Sequence, residues 1–283
     1  MSSALRTRST HACFGGTQGF YEHDSDACAG PMRFAVFMPP RATDAKVPGV
    51  VFLAGLTCTE ETFPIKAGAQ RLAAELGLAL IAPDTSPRQS RFPGDDAAWD
   101  FGLGAGFYLD ATREPWSSAY RMETWITDEL PRVIAEHFPI DTAALGLMGH
   151  SMGGHGALTL ALRHPSRWQS VSALAPIVAP SEVPWGQKAF AGYLGEDRAR
   201  WHEHDATALV ASGHRFPGTP LVDQGEADNF LVRELQPERL IAACEAAGLP
   251  LTLRRHAGYD HGYWFIQTFI ADHLRHHAAS LIK

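Results

Sequence analysis

A turn with glycines on both sides of a serine limits the fold of this chain more than any other feature. It occupies Gly149–Gly156, follows the apolar stretch Leu145–Met148 and leads into the helix-forming run Ala157–Leu162. A strand, a sharp turn and a helix in this order form a nucleophile elbow, in which glycines make room for a strained serine backbone. The pattern alone also occurs in ordinary turns, so it is the flanking strand and helix that single out Ser151. The sequence therefore predicts that Ser151 is a nucleophile whose hydroxyl stands clear at the edge of a sheet.

Strands and helices alternate along most of the chain after an opening that shows no regular pattern. The predicted strands are Arg33–Met38, Val50–Ala54, Ala79–Ala82, Leu145–Met148, Ser170–Leu174, Pro220–Val222 and Leu251–Arg255. Helices are predicted for Ala67–Leu76, Tyr120–His137, the run after Ser151, segments within Gln187–His204, Pro237–Ala247 and Gly262–His277. Such alternation predicts an α/β fold, with a mostly parallel sheet flanked by helices on both faces. Ligands then bind at the carboxyl ends of the strands, where the elbow lies.

No linker, repeat or low-complexity tract divides the 283 residues, so we expect one domain spanning 1–283.

A net charge of -7 argues against a nucleic-acid partner, and the basic clusters Arg254–Arg255 and Arg275–His277 are expected to be solvated. The opening segment Met1–Arg6 lacks the apolar core of a signal peptide, and no long apolar run follows. These features predict a cytosolic protein without a membrane partner.

The four cysteines, Cys13, Cys28, Cys58 and Cys244, are too widely spaced for a zinc or redox motif and too few for a disulfide scaffold. We therefore expect free thiols, no metal and no cofactor.

A serine nucleophile needs a histidine base and an acid that orients the histidine, in the chain order Ser, Asp or Glu, His for this fold. His261 lies in a loop between the last predicted strand and the last predicted helix, which makes it the candidate base. His202, His204 and His214 precede any plausible acid, and His276 and His277 lie deep in the final helix.

Four carboxylates are candidates for the acid. Asp228 lies in a loop past the strand end, from which it can bend back towards His261, and Glu226 is the next alternative. Asp223 lies at the end of the strand and is expected to contact backbone or a helix terminus. Asp260 is adjacent to His261, and neighbouring side chains of an extended loop point apart. The sequence therefore favours Asp228.

An acyl-transfer site also needs two backbone donors for the oxyanion of its tetrahedral intermediate. The first is the amide of Met152, which follows the nucleophile at a helix N-terminus. The second is expected in the loop after the second predicted strand, with Leu56 as the donor. Gly55 in that loop could equally be an ordinary turn glycine.

The motifs of the chain resemble, in order, those of the S-formylglutathione hydrolases, the esterase D family of serine hydrolases. The matching segments are Cys13–Gly16, Gly55–Thr59, Pro83–Arg88, Gly102–Tyr108, Gly149–Gly156, Trp185–Phe190, Asp223–Gly225 and Gly258–His261. The resemblance implies an α/β-hydrolase fold, a triad of Ser151, Asp228 and His261, and a homodimer. The chain departs from the family's pattern at Ala54, at Gln89 and in the run Gly262–Trp264, which lie at the rims of the site.

Three further residues are candidates for the substrate pocket. A single tryptophan such as Trp185 commonly packs in the core, but the resemblance raises the alternative that Trp185 walls the acyl pocket. His150 could line that pocket, whereas His155 is expected to make a structural hydrogen bond. Cys58 lies two residues past the expected oxyanion donor, so its thiol is expected near the site without being the nucleophile.

The expected reaction is hydrolysis of the thioester S-formylglutathione to glutathione and formate, in formaldehyde detoxification. A general short-chain carboxylesterase is the alternative within the same chemistry. A third hypothesis is a non-catalytic binding protein of the same fold. The presence of a serine, a later acid and a later histidine argues against it.

Overall fold

The computed structural model describes residues 5–43, 45–89 and 92–282, so most of the opening segment Met1–Arg6 lies outside the described residues. The strands are β1 Arg6–Cys13, β2 Gly16–Ser25, β3 Gly30–Met38, β4 Val47–Leu53, β5 Ala79–Pro83, β6 Ile140–His150, β7 Ser170–Leu174, β8 Leu221–Gly225 and β9 Thr252–His256. The helices are α1 Thr62–Lys66, α2 Gln70–Leu76, α3 Met122–Thr124, α4 Leu130–His137, α5 Met152–Arg163, α6 Pro184–Leu194, α7 Arg198–His202, α8 Ala206–Ala211, α9 Glu238–Ala247 and α10 Tyr263–Leu281.

All nine of these strands join one sheet in the order β1-β2-β3-β5-β4-β6-β7-β8-β9. Pairing is antiparallel from β1 to β5 and parallel from β5 to β9. Helices cover both faces, and α5 and α10 pack against the central strands β6 and β7. The mostly parallel α/β sheet expected from the alternating pattern is confirmed, as is the α/β-hydrolase fold that the resemblance implies. Among the described residues, no helix is long and apolar enough to span a bilayer.

The opening of the chain, expected to be irregular, instead forms the two antiparallel strands β1 and β2. They carry charged and polar residues at an edge of the sheet, so they lack the apolar alternation by which strands are recognised. Ion pairs between the side chains join the two strands instead: Arg6 on β1 lies 3.0 Å from Glu22 and 2.7 Å from Asp24 on β2.

One predicted helix is interrupted, and a predicted group of helical segments is resolved into two helices. The predicted helix Tyr120–His137 begins at Met122 and contains a π-helical turn at Trp125–Glu129. Pro131 has no N–H to donate to the preceding turn, which accounts for the break in regular hydrogen bonding just before it. The helical segments expected within Gln187–His204 separate into α6 and α7 at Gly195, whose φ is +87°.

The expectation that the basic residues near the C-terminus are solvated is wrong for His277, which is fully buried between α10 and the sheet. Its ring nitrogens lie 2.6 Å from the Ser170 hydroxyl and 2.9 Å from the Ser172 hydroxyl, both on β7. Burying an imidazole costs free energy when its nitrogens lack hydrogen-bond partners, and two strand serines supply those partners here. His277 therefore helps to seat α10, the helix that directly follows the His261 loop.

Candidate active site

Ser151 occupies the turn between β6 and α5 with φ +57° and ψ -119°, a strained conformation for a residue with a side chain. A Cβ atom at Gly149 would lie 2.0 Å from the Gly153 carbonyl oxygen, and one at Gly153 would lie 1.9 Å from the Leu53 carbonyl oxygen. Both positions thus exclude every residue with a side chain. The expected elbow is present, although Ser151 is only 3% exposed and lies in a cavity instead of standing clear in solvent.

Three side chains from separate segments meet at this turn. The Ser151 Oγ lies 2.9 Å from Nε2 of His261, and Nδ1 of His261 lies 2.6 Å from Oδ2 of Asp228. An ionised carboxylate only accepts, so Nδ1 carries the ring proton and the unprotonated Nε2 accepts from the serine hydroxyl. This is the tautomer in which an imidazole can take a proton from serine.

The Asp228 carboxylate is fully buried and has further donors besides His261. Its Oδ1 accepts from the backbone N–H of Phe230 at 2.8 Å, and Gln224 Nε2 lies 3.4 Å from Oδ2. These contacts orient the carboxylate without neutralising it. Asp228 can therefore hold the ring of His261 in one orientation.

The other carboxylates considered from the sequence face elsewhere. Asp260 accepts from the backbone N–H of Gly262 at 2.9 Å within its own loop, and Glu226 is exposed. The prediction that Asp223 contacts backbone or a helix terminus is wrong. Its carboxylate pairs with Arg254, 2.6 Å away and directly opposite in register on β9, and also contacts His273 at 3.2 Å. Burial alone would raise the pKa of Asp223, but these donors hold it well below its usual range.

Two backbone amides belong to residues next to the serine or lining its cavity. Met152 begins α5 directly after Ser151, so its amide is at a helix N-terminus, where the dipole favours negative charge. Leu56 lines the same cavity, and its amide has no acceptor in the described part of the chain. A Cβ atom on Gly55 would lie 3.2 Å from the Cβ of Ser151, so this glycine lets the Leu56 loop approach the serine.

The loop that carries Leu56 is held by side chains that the sequence analysis did not single out. Tyr108 donates its hydroxyl to the Ala54 carbonyl at 2.8 Å, and Thr85 donates to the Cys58 carbonyl at 2.7 Å. Arg88 donates to the same Cys58 carbonyl and also binds the buried carboxylate of Asp84 at 2.6 Å. Asp84, Thr85 and Arg88 belong to a motif on which the resemblance rests, but nothing in their spacing connects them to the Cys58 carbonyl.

A cavity of about 130 Å³ opens above the serine. It is lined by Gly55, Leu56, Cys58, Trp99, His150, Ser151, Trp185, Phe230 and His261. Trp185 contacts Trp99 edge-to-face at 5.5 Å between ring centroids, and its ring lies 4.7 Å from that of Phe230. Trp99 and Phe230 were not expected here, because a lone aromatic residue in a loop has no pattern that distinguishes lining from packing. Together, the three aromatic rings form an apolar wall.

Two other lining residues have pKa values shifted by burial. His150 lies with its ring 4.6 Å from that of His261, and burial holds the pKa of His150 well below its usual range, so the ring is neutral. Burial likewise raises the pKa of the Cys58 thiol, which stays protonated at neutral pH and is a poor nucleophile. His155 lies outside the cavity, with Nε2 3.0 Å from the Phe107 carbonyl oxygen.

No group of three or more His, Cys, Asp or Glu side chains within the described ranges is arranged to hold a metal ion. The arrangement that the residues do form is a serine hydrogen-bonded to a histidine and a buried carboxylate, with two backbone amides nearby. Such an arrangement supports acyl transfer through a serine.

Known proteins resemble this chain in sequence and in fold. The family model described as "Putative esterase" matches residues 25–276. S-formylglutathione hydrolase from Mus musculus is 50% identical over 98% of this chain and 99% of its own length. The enzyme of the same name from Paracoccus denitrificans is 50% identical over 99% of this chain and 100% of its own length.

A solved structure agrees with these sequence matches. S-formylglutathione hydrolase from Agrobacterium tumefaciens superposes with a TM-score of 0.95 at 48% identity, covering 98% of this chain and 99% of that one. Identity near one half over nearly the whole of this chain and of its relatives, together with a shared fold, establishes the family. The chain is thus a hydrolase that belongs to the S-formylglutathione hydrolase family of esterases.

Proposed function

We propose that this protein hydrolyses the thioester S-formylglutathione to glutathione and formate, with Ser151, His261 and Asp228 as its catalytic triad. The observation that carries the proposal is the continuous series of hydrogen bonds from Asp228 through His261 to Ser151. Membership of the S-formylglutathione hydrolase family supports the choice of substrate. The cavity above the serine is small and apolar, which suits an acyl group without a side chain.

The first half of the reaction forms an acyl-enzyme. His261 Nε2 takes the proton of Ser151 while Oγ attacks the thioester carbonyl carbon. The backbone amides of Leu56 and Met152 donate to the oxyanion that develops, a contribution of about 2.7 to 4 kcal/mol per donor in comparable sites. The carbon–sulfur bond then breaks, and the imidazolium returns its proton to the glutathione sulfur.

The second half repeats these steps with water. His261 takes a proton from a water molecule, which attacks the formyl ester on Ser151. When the tetrahedral intermediate collapses, the ester bond to Oγ breaks and Ser151 regains its proton from His261. Formic acid leaves and loses its proton to water, giving formate. Asp228 stabilises the imidazolium in both halves, and the reaction requires no cofactor or metal.

We further propose that the chain acts as a single domain in the cytoplasm, as a homodimer, in formaldehyde detoxification. One continuous sheet runs through the described residues, and the relatives are S-formylglutathione hydrolases. A formyl thioester is the two-electron oxidation product of the adduct that formaldehyde makes with the glutathione thiol, so its hydrolysis completes the conversion of formaldehyde to formate. The net charge of -7 speaks against a nucleic-acid partner.

A serine-directed fluorophosphonate probe tests the proposed nucleophile. Ser151→Ala should abolish labelling and lower thioester and ester hydrolysis by several orders of magnitude, because it removes the covalent step. Ser212→Ala, at an exposed helix end, is the matched control and should label and turn over normally. Substantial turnover by Ser151→Ala, or labelling of another serine, would contradict the assignment.

Relative kcat/KM on S-formylglutathione and on p-nitrophenyl esters of increasing chain length tests the substrate. A strong preference for the thioester is expected. A general carboxylesterase would instead turn over the simple esters as well as or better than S-formylglutathione.

A further inference from the structure

The cavity above Ser151 cannot hold the glutathione part of the proposed substrate. Its volume is about 130 Å³, and none of its nine lining residues carries a permanent charge. Glutathione is a tripeptide with two carboxylates, and a carboxylate without a partner is costly to remove from water. With the thioester carbon at Ser151, both carboxylates must lie outside the cavity, on its rim.

Lys66 is the last residue of α1 and does not line the cavity, but two of its interactions place it near Cys58, which does. Its Nζ is 5.7 Å from the centroid of the Tyr263 ring, which belongs to the first residue of α10 and lies 6.2 Å from the His150 ring. Lys66 also affects the pKa of the Cys58 thiol. Burial raises this pKa, and the positive charge of Lys66 lowers it. Both contacts place the Lys66 ammonium beside the Cys58 side of the cavity.

Lys66 differs from three other cations near the cavity, Arg88, Lys188 and Arg233, because it has no carboxylate partner in the described part of the chain. Arg88 is paired with Asp84. Lys188, on the helix that carries Trp185, forms an ion pair with Asp100. Arg233 lies 3.4 Å from Glu234, whose carboxylate accepts from the Trp185 amide. In a chain of net charge -7, an exposed and unpaired ammonium beside the cavity gives an anionic substrate a local attraction.

We propose that Lys66 and the ring of Tyr263 form an anion subsite, in which the Lys66 ammonium binds a carboxylate of the glutathione moiety. The inference rests on the proposed function, because it takes the substrate to be a glutathione thioester. The thioester sulfur is on the middle residue of the tripeptide, so each carboxylate can extend roughly 7 Å from it, past the cavity rim, while the thioester stays at Ser151. The subsite contributes to substrate binding and leaves the chemistry at Ser151 unchanged.

Steady-state kinetics of Lys66→Met, with Lys188→Met as the matched control, test the subsite. Lys66→Met should raise KM for S-formylglutathione about two- to fivefold with kcat unchanged, the range that an exposed ion pair supports. Hydrolysis of the uncharged ester p-nitrophenyl acetate should not change, and Lys66→Arg should restore the KM. Added salt should raise KM in the unmodified protein more than in Lys66→Met. Equal effects of Lys66→Met and Lys188→Met, or no effect of Lys66→Met, would overturn the proposal.

Inhibition of p-nitrophenyl acetate hydrolysis by S-methylglutathione separates this proposal from the proposed function. The inhibition constant should rise about two- to fivefold in Lys66→Met and stay unchanged in Lys188→Met. If S-formylglutathione is not hydrolysed but this inhibition depends on Lys66, the proposed function is wrong and the subsite stands. If S-formylglutathione is hydrolysed but inhibition is identical in all three proteins, the subsite is wrong and the proposed function stands.

Discussion

Asp228 Oδ2 lies 2.6 Å from Nδ1 of His261, although 33 residues separate them in the chain. Backbone hydrogen bonds join the loops that carry them, from the Glu226 amide to the His256 carbonyl at 3.0 Å and from the Ala227 amide to the Tyr259 carbonyl at 2.9 Å. Asp260, next to His261 in sequence, accepts from its own loop instead. The pairing of parallel strands β8 and β9 thus decides which carboxylate reaches the histidine.

Asp228→Asn should lower kcat by on the order of a thousandfold or more, because an amide at this position favours the wrong tautomer of His261. Asp260→Asn is the matched control and should retain most activity. Both are measured as kcat/KM on S-formylglutathione and p-nitrophenyl acetate. The reverse ranking would assign the acid to Asp260.

Arg88→Lys should lower kcat about tenfold while KM changes less than twofold. Lysine keeps the charge beside Asp84, but a single ammonium cannot reproduce the fork that serves both Asp84 and the Cys58 carbonyl. The loop that carries Leu56 then shifts, and small misplacements of reacting groups are costly in rate. A thermal melt checks that the protein is folded. Unchanged kcat in a folded variant would show that Arg88 has no part in positioning this loop.

Alkylation of Cys58 by N-ethylmaleimide should inhibit hydrolysis, because the added group fills the cavity that Cys58 lines. Since burial raises the pKa of this thiol, inhibition should become faster as pH rises above neutral. Cys58→Ala should keep at least half of the activity and lose the sensitivity. Loss of activity in Cys58→Ala, measured before any alkylation, would reveal a direct role for the thiol.

Trp185→Ala should extend the range of acyl chains that are hydrolysed. The unmodified protein should accept acetyl and propionyl esters and turn over chains of about eight carbons poorly, since the aromatic wall cannot yield without strain. Trp264→Ala, at a highly exposed position outside the cavity lining, is the control and should leave the range unchanged. Efficient cleavage of long-chain esters by the unmodified protein would show that the aromatic rings do not limit the length of the acyl chain.

Glu60→Gln should stabilise the protein at pH 8 and leave its stability at pH 4 nearly unchanged. Burial, together with the charge of Asp84, raises the pKa of Glu60 to about 7. Because the folded state binds this proton more tightly than the unfolded state, the folded state loses stability as pH rises from about 4.5 through 7. Thermal melts should show a difference of a few degrees at pH 8. An equal shift at both pH values would contradict this explanation.

The sequence by itself determined the local features of this protein. The glycines around Ser151, the apolar strands of the parallel sheet and the loop position of His261 are each readable from a few neighbouring residues. Such signals are local because a turn needs particular backbone angles and a buried strand needs an apolar run. They were sufficient to predict a mostly parallel α/β sheet and to place the serine and the histidine at its edge, and the resemblance of the motifs added the α/β-hydrolase fold.

Tertiary structure decided the features that depend on partners distant in the chain. Strands β1 and β2 pair through polar side chains, so they lack the apolar pattern that reveals a strand. The sequence predicts that Arg254 and His277 are solvated. In the structure, Arg254 binds Asp223 on β8, and His277 lies within hydrogen-bond distance of Ser170 on β7. Arg88 contacts the Cys58 carbonyl from 30 residues away, and no spacing rule predicts this. Side-chain pairing of this kind exists only after the sheet has brought the elements together, because it depends on three-dimensional distance and not on separation along the chain.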